Sequence, residues 1–249
     1  MTEAEWRVSD DPIHALRPIC GTPCGTERRL RLYAHACCSR ISRLLPALYH
    51  DALDVIERDA DGRAGRREWA TVCGSVVGHA QELAAALPPP GPWPDTDLST
   101  TDLYAHHASQ AVCAAFRAID LNDPFPDWIV QLVTGVITAT QLAPLWRYPE
   151  VPRNSPASAD VFMRRELTNL VREIFGNPFR VPTCDPAWLS SDALVLVSQM
   201  YESRDFSAMP ILADALQDAG CDNPDVLDHC QGPGPHVRGC WVVDLVLGK

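Results

Sequence analysis

The chain has 249 residues, 46% of them hydrophobic and 21% charged, with a formal net charge of −11. That composition supplies a buried core and excludes a chain disordered throughout, a collagenous rod or a coiled-coil rod, and its acidity argues against nucleic-acid binding by phosphate neutralisation. Twenty of the 21 basic residues are Arg and the one Lys is Lys249, which excludes a P-loop lysine, a kinase-type lysine and an internal Schiff-base lysine.

In chain order, the first strong element runs from Arg28 to Leu45. Leu30, Ala34, Cys37, Ile41, Leu44 and Leu45 recur at steps of three and four, the stripe of an amphipathic helix. Thr26 and Glu27 suit its start, and Pro46 forces the chain out of it. Ala52 to Arg58 continues in the same style. Leu87-Pro-Pro-Pro-Gly-Pro-Trp-Pro94 cannot be helical and reads as a stiff extended loop. Helices are expected at Thr101–Ile119 and Pro126–Leu142, a Pro-rich linker at 147–158, and a helix at Ala159–Phe175 that ends in the turn signal Gly176-Asn-Pro-Phe-Arg180. Asp192 to Glu202 is apolar enough for a buried helix. Ser207 to Ala219 reads as a helix with Ser207 as its cap, Pro210 in its first turn and Gly220 as its left-handed stop. The neighbours of Gly239–Leu247 favour helix there too. No alternating strand pattern or fixed-period repeat recurs. The expected fold is all-α, an irregular multi-helix bundle with Pro-rich connecting loops. It divides into an N-terminal region (1–146), a linker (147–158) and a C-terminal region (159–249).

The N-terminus is acidic with no apolar signal core, and no apolar run approaches a membrane span. The expectation is a cytoplasmic protein with no membrane partner, whose ten cysteines are thiols or metal ligands before they are disulfides. Charge is uneven: residues 1–68 balance eleven Arg with eleven acids, whereas residues 182–249 hold ten acids against Arg204, Arg238 and Lys249. A solvated acidic surface accounts for that excess.

Four segments carry a resemblance: Ile174-Phe-Gly-Asn-Pro-Phe-Arg180, Asp185-Pro-Ala-Trp188, Pro210-Ile-Leu-Ala-Asp-Ala215 with Ala219-Gly-Cys221, and Gly232-Pro-Gly-Pro-His-Val-Arg-Gly-Cys-Trp241. Together they resemble the tail of an uncharacterised, highly paralogous protein family of planctomycete bacteria. Thr2-Glu-Ala-Glu-Trp6, Arg29-Leu-Arg-Leu32 and Ala36-Cys-Cys38 are similar to its N-terminal region. The Pro-rich centre departs from that family's long Ala-rich helical stretch. The resemblance implies a helical fold and a bacterial cytoplasmic protein, and it carries no activity.

The densest chemical cluster is Cys221, His229, Cys230, His236 and Cys240. Zinc takes four S or N ligands in a tetrahedron, and short spacings let one loop supply two of them. Against zinc, no paired C-x-x-C knuckle is present, and adjacent His229 and Cys230 project in different directions on a helix. Buried small thiols are the simpler reading of Cys221 and Cys240. The same loop holds five Gly or Pro residues between Gly232 and Gly239. Such a rigid turn could display His236, Arg238 and Trp241 to a protein or a small anionic ligand. The simpler reading is a structural turn, with Arg238 tied to the acidic C-terminal region and Trp241 in the core.

Glu57, Asp59, Asp61, Gly62 and Glu68 fall at calcium-loop spacing, but Arg63, Arg66 and Arg67 oppose a cation, and a plain helix–turn–helix corner fits better. Cys20, Cys24, Cys37 and Cys38 make a loose metal pattern in which Cys37 already belongs to the apolar stripe. His79, His106 and His107 have no third partner legible in the sequence. No G-x-S-x-G, H-E-x-x-H or G-x-G-x-x-G occurs. The leading expectation is therefore a non-catalytic helical interaction module with its surface at His236, Arg238 and Trp241. The alternative is a metal-binding protein or metal-dependent enzyme using the Cys/His-rich C-terminal region.

Overall fold

The structure is a computed structural model that describes residues 1–87, 100–116, 127–143 and 156–249. The Pro-rich run beyond Leu87 and residues 147–155 of the expected linker lie outside the described residues. Those described form twelve α-helices and no β-strand, so the chain is all-α. None of the described helices is long and apolar enough to cross a membrane.

Contacts divide the chain into Met1–Thr168 and Asn169–Lys249. The division falls inside a helix that begins at Pro156, not at the Pro-rich segment preceding it. In the first unit α1 (Glu3–Val8), α2 (Pro12–Leu16), α3 (Glu27–Arg40), α4 (Ala47–Ala60), α5 (Arg66–Ala86), α6 (Thr100–Ala115) and α7 (Asp127–Leu142) precede the start of α8 (Pro156–Phe175). Successive helices from α3 to α7 pack on one another, and α7 returns to α3. The predicted stripe Leu30, Ala34, Cys37 and Ile41 is fully buried there. Thr26 caps α3 through its hydroxyl, which accepts from the Arg29 N–H at 3.3 Å. The helix stops at Arg40, earlier than the sequence suggests, and a 3-10 turn at Ser42–Leu44 carries the stripe to Pro46. The Tyr33 hydroxyl donates to the Leu167 carbonyl, and Arg40 pairs with Glu166, which ties the first part of α8 to α3.

The acidic corner between α4 and α5 is a helix–turn–helix. Glu57 is buried, Asp61 lies 3.1 Å from both Arg28 and Arg63, Asp59 lies 3.1 Å from Arg31, and Glu68 caps Gly65 while pairing with Arg58. Guanidinium groups thus take up the carboxylates that a calcium ion would need.

The second unit comprises the end of α8, a 3-10 turn at Pro186–Trp188, α9 (Ser191–Ser203), α10 (Met209–Asp218), α11 (Pro224–Gln231) and α12 (Trp241–Leu247). Its core is built from Val197, Met200, Tyr201, Leu212, Leu216, Val226, Trp241, Val242 and their neighbours. α9 is amphipathic where a buried helix was expected: Ala193, Val197 and Met200 face the core while Val195 is 55% exposed.

The expected cap of α10 is corrected. Asp205 Oδ1 accepts from the Ser207 N–H, which holds Ser207 in a turn, and the helix starts at Met209 after Ala208 with no side-chain cap. Its end follows expectation. The Cys221 N–H donates to the Leu216 carbonyl and the Gly220 N–H to that of Gln217, which closes the helix and buries Cys221. Thr26→Ala should therefore cost about 1 kcal/mol in urea unfolding. Ser207→Ala should stay within about 0.5 kcal/mol.

Candidate metal centre

Glu173, His229, His236 and Cys240 each turn one ligand-type atom into a common cluster in which all four lie within 4.8 Å of one another. It is the one group of this kind among the described residues, and it lies wholly within Asn169–Lys249. Three segments build it. The last turns of α8 place Asn169, Arg172 and Glu173 on one face, at i, i+3 and i+4. Asn223 caps α11 by accepting from Asp225 N–H and Val226 N–H, and the helix carries the partly buried His229 next to the fully buried Cys230. The turn from Gly232 to Cys240 then brings His236 back and delivers Cys240 to the start of α12.

Gly234 makes that turn feasible. Its φ is +82°, and a Cβ there would sit 2.7 Å from the His236 backbone nitrogen, so any side chain would push His236 away. Five Gly or Pro residues in this stretch thus serve to fold one imidazole back onto α8. Gly176, just past α8, has φ +65° and lies against the Trp241 indole. This sets the ring beside His229, with ring centroids 5.1 Å apart.

Glu173 is 3% exposed and accepts from several directions. The Val237 N–H donates to Oε1 at 3.2 Å, His236 Nδ1 lies 3.2 Å from Oε2, and His229 Nε2 lies 3.3 Å from Oε2. His229 Nε2 is also 3.2 Å from Cys240 Sγ. Burial raises the Glu173 carboxyl pKa, and His236 partly counters that. Burial pushes His229 down to about 3, with the His236 charge adding to the effect, so its imidazole is neutral. Burial also works against charge on His236, but the hydrogen bond and charge of Glu173 outweigh it and raise that pKa. The Cys240 thiol is raised well above its ordinary value by burial and by Glu173.

The ring protons follow from the partners. His236 Nε2–H donates to the Gly232 carbonyl at 3.4 Å, leaving Nδ1 toward Glu173. Trp241 Nε1–H donates to His229 Nδ1 at 3.1 Å. With no metal bound, the single proton of neutral His229 is therefore on Nε2, facing Glu173 and Cys240.

Of the residues named from sequence, His229, His236 and Cys240 meet here. Cys221 and Cys230 do not: Cys221 is buried at the stop of α10, and Cys230 points into the core with its thiol pKa pushed up to about 12 by burial. The expected divergence of adjacent His229 and Cys230 is what separates them. The trio His236, Arg238 and Trp241 is not displayed together. Arg238 is 7% exposed with its guanidinium 4.2 Å from the Tyr201 ring centroid, and Trp241 is 8% exposed. Arg238→Ala should accordingly cost about 2 kcal/mol or more in denaturant unfolding, from lost packing and a desolvated cation–π contact. An unchanged midpoint would show that Arg238 does not support the core. Elsewhere His79 pairs with the Tyr49 hydroxyl at 2.9 Å, His106 meets His107 edge to face, and all ten cysteines are free thiols.

Glu173 was not legible as a ligand. It lies far upstream of the Cys/His tail, and a single Glu on a helix reads as solvated. The usable signal was local: Glu173 stands between Leu170-Val171 and Ile174-Phe175, apolar residues of a helix that leads directly into a turn. In comparisons with known proteins, no family model, curated protein or solved structure matches the chain.

Proposed function

We propose that the C-terminal unit binds a divalent transition metal, zinc foremost, through Glu173, His229, His236 and Cys240. The observation that carries this reading is the convergence of a carboxylate, two imidazoles and a thiol, from α8, α11 and the 232–240 turn, with Glu173 and Cys240 buried and both imidazoles partly buried. Zinc takes S, N and O donors tetrahedrally at about 2.0–2.3 Å, which sets donor–donor edges of roughly 3.3–3.6 Å. Three of the six donor separations, at 3.2, 3.2 and 3.3 Å, lie near such edges, and all six fall within 4.8 Å.

A hydrogen-bonded cluster without metal is the competing account, and magnitudes separate the two. Loading zinc would displace the Cys240 proton and the proton held between His236 Nδ1 and Glu173 Oε2, and would move the His229 proton from Nε2 to Nδ1, which breaks the Trp241 hydrogen bond. A neutral hydrogen bond contributes about 1 kcal/mol and a charged one about 1.5–3 kcal/mol. A structural zinc site contributes about 10–16 kcal/mol near neutral pH. The metal therefore outweighs the bonds it replaces. The inward packing of Arg238 and Trp241 favours this reading over a recognition surface at the same turn.

Elemental analysis of protein purified without chelator should find about one equivalent of zinc. Cobalt substitution should give a thiolate-to-cobalt charge-transfer band that Cys240→Ser removes. Because Trp241 loses its bond to His229, its fluorescence should also change on loading. Protein that takes up neither zinc nor cobalt would refute the assignment.

A further inference from the structure

We infer that this centre exchanges its ion in the folded state: metal enters and leaves through the cavity beside the cluster, so the C-terminal unit takes up and hands on a divalent ion where a structural site would lock one in at folding. The inference rests on the metal reading above. Four protein donors complete the ion's coordination, but they do not wall it off. A cavity of about 340 Å³ is lined by Glu173, His229 and His236, by Asn169 and Arg172 of α8, and by the turn 232–235. Cys240 does not line it and is fully buried. The thiol thus closes the core side, and the other three donor residues stand between the ion and the cavity. At about 30 Å³ per water the cavity has room for roughly ten waters, so an incoming ion keeps part of its hydration shell until the donors replace it one at a time.

The donors are held in place by contacts that require no metal. The Val237 N–H fixes Glu173, the Gly232 carbonyl fixes His236 and the Trp241 indole fixes His229. Cys240 opens α12, whose Trp241, Val242 and Val243 belong to the apolar core. The unit therefore folds ahead of the ion, and binding has little chain to order. Charge permits both states as well. Without metal, the Cys240 proton and the proton between His236 Nδ1 and Glu173 Oε2 leave the cluster neutral. A divalent ion displaces those two protons to cavity water, and the carboxylate and thiolate then balance its two charges. On release two protons return. The cluster is neutral before and after, so neither state holds an uncompensated buried charge.

The test follows the cobalt–thiolate band in full-length protein first stripped of metal with chelator. Folded protein should gain the band on mixing with cobalt, at a rate proportional to cobalt concentration, and lose it to EDTA, with its far-ultraviolet circular dichroism nearly unchanged. Low urea separates the routes. Unfolding accelerates exponentially with urea, whereas exchange through the cavity should keep its rate until the unfolding transition begins. Asn169→Phe sets a ring in the cavity and should slow loading and release each by roughly tenfold or more, with affinity held within about threefold. Asn169→Ala loses the same hydrogen bond from Arg172 but adds no bulk, so it should exchange at the wild-type rate or faster. Three results would overturn the inference and leave the metal reading intact: loading only after denaturation and refolding, a rate that climbs with urea as unfolding does, and the same rate in Asn169→Phe as in Asn169→Ala. Protein that takes up no cobalt by either route would remove both readings. The urea dependence is measured on the wild-type protein and decides the matter where a variant does not fold.

Discussion

With zinc at the Glu173–His229–His236–Cys240 cluster as proposed, its removal should lower the unfolding temperature of the Asn169–Lys249 unit by roughly 15–30 °C. The reason is linkage: an ion that binds only the folded state, present at about a thousand times its dissociation constant, adds about 4 kcal/mol. For a unit of this size each kcal/mol moves the midpoint by about 4–8 °C. The four candidate donors come from segments separated in sequence, so a bound ion would tie the end of α8 to α11 and to the turn before α12. Scanning calorimetry with and without chelator measures the effect, and added zinc should restore the original midpoint. Cys240→Ser, Glu173→Gln and His229→Ala should each weaken zinc binding by roughly a hundredfold or more, since the total of about 10–16 kcal/mol is spread over four ligands. Cys230→Ser and Cys221→Ser, which change thiols outside the cluster, should leave zinc stoichiometry at one. Equal loss of zinc in Cys230→Ser and Cys240→Ser would move the site.

Gly176→Val should destabilise the same unit by about 3 kcal/mol or more. Two costs combine. The backbone φ of +65° suits Gly and strains a β-branched residue by about 1–3 kcal/mol. In addition, a Cβ at this position lies only 3.1 Å from Trp241 Cγ and Cδ2, and overpacking of that kind costs about 1–3 kcal/mol. Trp241 cannot readily yield, because its indole belongs to the core and its N–H reaches His229. Any displacement of the ring is passed to a ligand, so Gly176→Val should also lower zinc affinity although residue 176 donates nothing to the ion. Combining it with Trp241→Phe, which removes ring bulk, should give a double variant less destabilised than the sum of the two changes. Strict additivity would show that backbone strain alone accounts for the effect.

A turn of Gly and Pro at 232–239 can present side chains outward or fold them inward, and its composition is the same in both cases. The inward result follows from what surrounds it. Arg238 stacks on Tyr201, Trp241 packs beside Gly176, and His236 is drawn to the buried Glu173 carboxylate. None of these partners is near the turn in sequence.

The all-α class was legible in the residue order alone, because steps of three and four and local stop signals act over one or two turns. Thr26 as a cap, Gly220 as a stop and the buried Leu30–Ile41 stripe are such local facts. The residue order misplaced the start of α10, because Asp205 competes for the Ser207 backbone through a contact as local as the cap itself. It also supplied three of the four donors, His229, His236 and Cys240, because they lie within twelve residues of one another. Tertiary packing brings Glu173 to the other three side chains, buries Cys221 and Cys230 in the core, and sets Arg172 on the cavity beside the cluster. A ligand set is defined by where side chains meet in space, and the end of α8 meets the tail only after the C-terminal core has packed.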